Sequence, residues 1–115
     1  MEIKRGEVWM INLDPTVGHE IKKIRPGVVI QNDVGNTFSP ITIIVPISSQ
    51  KVEKVYPFEV FIQKEKNNGL EKDSKIMCNQ MRAIDKRRLS RKLGSVSQDL
   101  MKEINTALKI SLYLD

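Results

Sequence analysis

A mainly β, α+β fold, a small antiparallel barrel carrying a C-terminal amphipathic helix, is what the patterning of this chain predicts. Several short apolar or β-branched runs are separated by turn residues, and closing such strands into a complete or nearly complete barrel removes exposed edges. The last stretch changes period, with Leu100, Ile104, Ala107, Leu108 and Ser111 at helical spacing. A length of 115 residues with 40% apolar content suits one domain, spanning 1–115, around one modest core.

Glu7 to Leu13 reads as the first strand, with Trp9, Ile11 and Leu13 on one face and Asp14-Pro15 closing it. Residues 14 to 24 form a long polar loop, and loops of that length in small domains are often functional. Val28-Val29-Ile30 and Ile41 to Ile47 are strands, the second β-branched enough to be central. Asn32 to Asn36 between them is a tight turn or a single helical turn. Val55 to Ile62 alternates with Phe58, Val60 and Ile62 on one side, Pro57 marking an edge, a bulge or the strand start. Lys66-Asn67-Asn68-Gly69 is the next reversal. Ser74 to Cys78 and Gln80 to Ile84 are short apolar stretches that can form one bent strand, and Leu93 to Val96 is another. Ser97 is a good N-cap for the helix, with Asp99 in the favoured acidic first turn.

The net charge of +5, with Lys and Arg clustered at 22–25, 51–54, 64–66, 72–75 and 82–92, fits an anionic partner such as nucleic acid as well as an ordinary solvated surface. Cys78 is the only cysteine and follows Ile76-Met77, which reads as a small buried residue in a chain without disulfides. With His19 the sole histidine there is no His/Cys set for zinc, and the acidic residues show no grouping that would hold a catalytic ion. A chemistry without metal or other cofactor is expected. No apolar stretch approaches bilayer length and the Met-Glu-Ile-Lys-Arg start lacks a signal segment, so a soluble cytoplasmic protein without membrane contact is expected.

The segment Arg25 to Gln50 is the most informative: Arg25-Pro26 opens one apolar run and Ser48-Ser49-Gln50 ends the next, setting a cation and a hydroxyl at the ends of two neighbouring strands. Arg5-Gly6-Glu7-Val8-Trp9, Leu13-Asp14-Pro15, Gly18-His19-Glu20, Ile24-Arg25-Pro26, Gln31 to Asn36 and Ile47 to Gln50 resemble, in this order, the MazF/PemK toxins. Gly69 to Ser74 and Gln80 to Lys86 continue the resemblance over essentially the whole chain. It implies an SH3-like β-barrel of the PemK/MazF/CcdB type and a homodimer. The implied activity is a metal-independent, sequence-specific endoribonuclease that cleaves single-stranded RNA by attack of the substrate's own 2'-hydroxyl. It also implies a cognate MazE-like antitoxin with a disordered acidic segment, complementary to the +5 charge.

That attack needs a proton acceptor, a proton donor to the leaving 5'-oxygen and positive charge for the phosphorane-like oxygens. Arg25 suits the last role, since a guanidinium offers planar bidentate donors to phosphate and is a poor base. Ser48 stands where the family usually carries Thr or Ser, and its hydroxyl can donate to a non-bridging oxygen or orient the 2'-hydroxyl. Glu20 is the candidate general base or the group that orients Arg25. Val17, His19, Lys22, Lys23, Ser49, Gln50, Tyr56, Asn79 and Gln80 are the candidates to contact RNA. Arg82, Arg87, Arg88 and Arg91 can steer the RNA backbone, although such a run also reads as a solvated face.

Three departures from the family pattern stand out: Lys22-Lys23 replaces Gly-Gly, Asn79 stands where Glu is common, and Ala83 replaces Thr. The alternatives are a CcdB-like toxin that binds gyrase without catalysis, and a barrel that only binds nucleic acid. The apolar Ile110 to Leu114 segment is the candidate dimer contact.

Overall fold

The computed structural model describes residues 2–15, 17–20 and 23–115. Seven strands and two helices follow in the order β1 (Glu7–Asn12), β2 (Ile24–Val29), α1 (Asp33–Phe38), β3 (Ile41–Ser48), β4 (Glu59–Ile62), β5 (Ser74–Met77), β6 (Arg82–Asp85), β7 (Leu89–Ser95) and α2 (Gln98–Leu112). All the ladders are antiparallel, and the strand path runs β4-β5-β3-β2-β1-β7, with β6 paired to β3.

β3 organises the sheet. One of its edges pairs with β2 at Ile44–Pro46, while the other pairs first with β6 at Ile41–Ile44 and then with β5 at Ile47 and Ser48. Of the two apolar stretches that could have joined into one bent strand, each forms its own strand, β5 and β6, separated by a turn of 3-10 helix at Cys78–Gln80. The barrel is not closed by a ladder, since β4 and β7 end the path and do not pair among the described residues. The 65–69 turn bridges the gap, with the Ser95 N–H donating to the Asn67 carbonyl at 2.9 Å. Gly69 and Gly94 allow this approach. A Cβ on Gly94 would lie 2.1 Å from the Asn67 oxygen, and one on Gly69, at φ +70°, 2.3 Å from the Leu93 oxygen.

Instead of one core there are two apolar clusters, one on each face of the central strands. Val8, Val28, Val45, Ile47, Val60, Ile62, Ile76 and Cys78 pack with Ile104 and Ala107 of α2. Ile3, Trp9, Ile11, Leu13, Val29, Ile44, Ile84 and Leu89 form the other. Alternate residues of one strand serve opposite clusters, which is why β2 and β3 read as continuous apolar runs rather than as a half-buried alternation. The grouping of Trp9, Ile11 and Leu13 matches the sequence expectation. α2 begins as expected, the Ser97 hydroxyl accepting from the Leu100 N–H at 3.1 Å. Cys78 is fully buried, and burial, with the Glu59 charge adding to it, pushes its thiol up to about 12.

Glu7 ties the first turn to β7. Its Oε1 accepts from the Lys4 N–H at 2.9 Å and from Trp9 Nε1 at 3.0 Å, and its Oε2 stands 3.0 Å from Lys92 Nζ. Burial alone would raise this carboxyl, but the Lys4, Trp9 and Lys92 donors together hold it below its ordinary value. A carboxyl lowered on folding stabilises the protein fully above its ordinary value near 4.5, and that stabilisation is lost as pH falls through the lower folded value. Glu7→Ala is expected to cost about 1–3 kcal/mol at neutral pH, because the buried Trp9 N–H loses its acceptor. In thermal melts from pH 7 to 3, the gap between wild type and Glu7→Ala should narrow below about pH 4.5; a constant gap would contradict this account.

Candidate active site

Two cavities flank the sheet where the end of β1, the start of β2 and the end of β3 come together. The first, of about 570 Å³, is lined by Leu13, Pro15, His19, Glu20, Pro46, Asn79, Gln80, Met81 and Arg82. The second, of about 370 Å³, includes Arg25, Ser49, Glu71, Lys72 and Arg91 in its lining. Four of the sequence candidates therefore share the first cavity, and Arg25 and Ser49 share the second.

The loop between β1 and β2 is fixed at its ends by backbone and side-chain bonds. The Leu13 N–H donates to the Lys23 carbonyl at 3.0 Å, and the Lys23 N–H donates to Asp14 Oδ1 at 2.9 Å. Arg82 Nη1 donates to the Leu13 carbonyl at 2.9 Å, and Arg88 Nη1 to the carbonyls of Asn12 and Asp14. Inside the loop, Glu20 Oε1 accepts from the Val17 N–H, so that a carboxylate is held at the rim of the first cavity. Val17 itself is 80% exposed. Lys22 lies outside the described residues.

β2 and β3 pair through Gly27–Pro46, Val28–Val45 and Val29–Ile44. The ladder ends there, and extending its register two residues further sets Arg25 opposite Ser48. Opposite residues of an antiparallel pair share a face. On their outer sides, Arg25 is paired with Ile11 of β1 and Ser48 with Lys75 of β5. Ser48 is 7% exposed, and its Oγ accepts from the Gln50 N–H at 3.1 Å. Ser49, its neighbour, lines the Arg25 cavity together with Ser74.

Tyr56 lines neither of these cavities. It stacks on Phe58 with ring centroids 5.4 Å apart, and Lys54 Nζ sits 5.1 Å from its ring centre. Gln50 is exposed on the same β3–β4 loop. Of the basic run that can steer the RNA backbone or simply face solvent, Arg82 lines the first cavity and Arg91 the second. Both lie on strands, in β6 and β7, and a β7 that begins at Leu89 places Arg91 within a strand rather than in a loop. Lys72, also in the second cavity, carries no signal that separates it from other loop lysines.

Residues 4–112 match the family described as "PemK-like, MazF-like toxin of type II toxin-antitoxin system". The chain is 43% identical over 114 residues to the endoribonuclease EndoA of Bacillus subtilis (strain 168), which covers 99% of this chain and 97% of that one. It is similar in fold to the crystal structure of MazF from Deinococcus radiodurans, with a TM-score of 0.84, 24% identity and 99% of each chain covered. It is also similar in fold to an endoribonuclease in complex with its cognate antitoxin from Mycobacterial species, with a TM-score of 0.81, 21% identity and 98% and 97% coverage.

Proposed function

The chain belongs to the PemK-like, MazF-like toxins of type II toxin-antitoxin systems, and on that premise we propose that it is a sequence-specific endoribonuclease cleaving single-stranded RNA. What supports the assignment of roles is the β2–β3 register, which, extended two residues past its last pair, sets Arg25 opposite Ser48, with Arg25 lining the second cavity and Glu20, His19, Asn79 and Gln80 lining the first.

The substrate's 2'-oxygen forms a bond to phosphorus while the bond from phosphorus to the 5'-oxygen breaks. The 2'-hydroxyl proton leaves to a base, and a proton is delivered to the departing 5'-oxygen. The products are a 2',3'-cyclic phosphate and a 5'-hydroxyl. Arg25 supplies charge to the non-bridging oxygens, and Ser48 donates a hydrogen bond to one of them. Glu20, on the loop held by Arg82 and Arg88, takes the 2'-proton or orients Arg25. Lys72 and Arg91 add to the positive lining around Arg25 and offer phosphate contacts on either side of the cut. His19, Asn79 and Gln80 supply donors and acceptors to base edges.

A nuclease of this kind works in the cytoplasm and is restrained by a cognate, MazE-like antitoxin whose acidic segment meets the +5 charge. The protein acts as a homodimer. Ile110, Leu112, Tyr113 and Leu114 are 49%, 53%, 98% and 60% exposed, an apolar terminus that a second copy would cover. The gyrase-binding reading has no observation in its favour beyond the fold, and a purely nucleic-acid-binding barrel, which the charge also suits, would bind RNA without forming product. The test is incubation of the purified protein with a long RNA in EDTA, with cut ends mapped. Cleavage at a shared short motif is expected, and intact RNA would overturn the reading.

A further inference from the structure

A buried ion pair adjoins Ser48 and has no part in the chemistry assigned above. Lys75 on β5 and Glu59 on β4 are 6% and 7% exposed, with Nζ 3.0 Å from Oε1. The β4–β5 ladder sets Glu59 opposite Met77 and Phe61 opposite Lys75, so Glu59 and Lys75 are diagonal neighbours on one face. The β5–β3 ladder sets Lys75 opposite Ser48. Three adjacent strands thus carry Glu59, Lys75 and Ser48 in a row on one face, while Val60, Ile76 and Ile47 enter the helix-side cluster from the other.

The loop 49–58 lies against this row and is bonded to it at three points. Lys75 Nζ donates to the Lys54 carbonyl at 3.1 Å, Glu59 Oε1 accepts from the Tyr56 N–H at 3.0 Å, and Ser48 Oγ accepts from the Gln50 N–H at 3.1 Å. A buried ion pair is a poor source of net stability, because the cost of desolvating two charges offsets their attraction. Here both charges are directed at the backbone of one loop. That loop presents Tyr56, 43% exposed and stacked on Phe58, with the Lys54 ammonium over its ring. A partly exposed aromatic pair beside a cation offers ring surface and positive charge to a nucleotide.

We propose that Lys75 and Glu59 are positioning residues that hold the 49–58 loop so that Tyr56 and Gln50 meet nucleotides flanking the phosphate cut at Arg25 and Ser48. This rests on the function proposed above. The pair acts through the Lys54 and Tyr56 backbone and touches neither RNA nor the reacting atoms.

The double variant Lys75→Met/Glu59→Leu removes both buried charges while keeping apolar volume, and is expected to melt near the wild-type temperature. Its KM for an RNA oligonucleotide bearing the cut motif should rise about tenfold, with kcat within about twofold of wild type. Tyr56→Ala in the wild-type background should raise KM similarly and add little in the double variant. A double variant that recovers the wild-type KM together with its melting temperature would overturn the proposal, as would a loss confined to kcat. If melting shows that this variant does not fold, Lys75→Met/Glu59→Gln, which keeps the Tyr56 acceptor and loses the Lys54 anchor, carries the same comparison with a smaller expected rise. Arg25→Ala run in parallel separates the two claims. If Arg25→Ala is inactive while the double variant keeps the wild-type KM, only the positioning role fails; if Arg25→Ala cleaves normally, the site assignment fails and the positioning role with it.

Discussion

Arg25→Ala is expected to lower kcat for RNA cleavage by about 10²–10³-fold, the scale seen when one preorganised donor to developing charge is removed. The loss should appear equally in kcat/KM, since the guanidinium is assigned to charge that builds up in the transition state. Single-turnover cleavage of an RNA oligonucleotide measures it directly. Arg25→Lys keeps the charge and loses the planar fork, so its activity should fall between wild type and alanine. The melting temperature should move little by comparison, because Arg25 is half-buried at the start of β2 and belongs to neither apolar cluster. An alanine variant that cleaves within a few-fold of wild type would remove Arg25 from the mechanism.

The second large effect is on stability. Gly94→Ala puts a methyl group 2.1 Å from the Asn67 carbonyl oxygen and 2.9 Å from the carbonyl carbons of Asn67 and Asn68. These are backbone atoms, so the clash cannot be relieved by turning a side chain. The 65–69 turn must move off β7, with loss of the Ser95–Asn67 hydrogen bond that spans the open side of the barrel. Overpacking of this kind costs about 1–3 kcal/mol and sometimes more, which for a domain of this size lowers the melting temperature by roughly 5–15 °C. Calorimetry of Gly94→Ala checks it, and an unchanged transition would show that the turn does not seal the barrel. Gly69→Ala should behave alike, since it adds the strain of a φ of +70° to a 2.3 Å clash with the Leu93 oxygen.

Much of this architecture was legible in the sequence because period and caps are local signals. The first strand, the β-branched run that became β3 and the helix starting after Ser97 all follow from alternation, β-branching or an N-cap. The fourth strand begins at Glu59, four residues after the alternation starts at Val55, because Tyr56 to Phe58 look strand-like but form a loop held by Lys75 and Glu59. β7 was seen only from Leu93, since Ser90, Arg91 and Lys92 hide its first half in a polar run. Trp9, Ile11 and Leu13 can be grouped from alternation, but the division of the apolar residues into two clusters cannot, because which side of a strand faces which layer depends on long-range pairing.

At the site, the residues of the family motifs could be named, but their grouping could not. Nothing local says that Asn79 and Gln80 share a cavity with His19 and Glu20, or that Arg91 joins Arg25. Lys75 and Glu59 were the most deeply hidden. A charged residue at alternate strand positions reads as a solvent face, and only the return of the 49–58 loop buries them.

The claim on which the whole account turns is that the RNA's own 2'-hydroxyl is the nucleophile, beside Arg25 and Ser48. The most direct measurement is cleavage in EDTA of an oligonucleotide carrying the mapped motif, compared with the same oligonucleotide bearing a single 2'-deoxy nucleotide immediately 5' to the scissile phosphate. The all-ribose strand is expected to be cut to a 2',3'-cyclic phosphate and a 5'-hydroxyl, and the 2'-deoxy strand to remain uncut at that position. Cleavage of the 2'-deoxy strand there, or 5'-phosphate ends on the products, would contradict it.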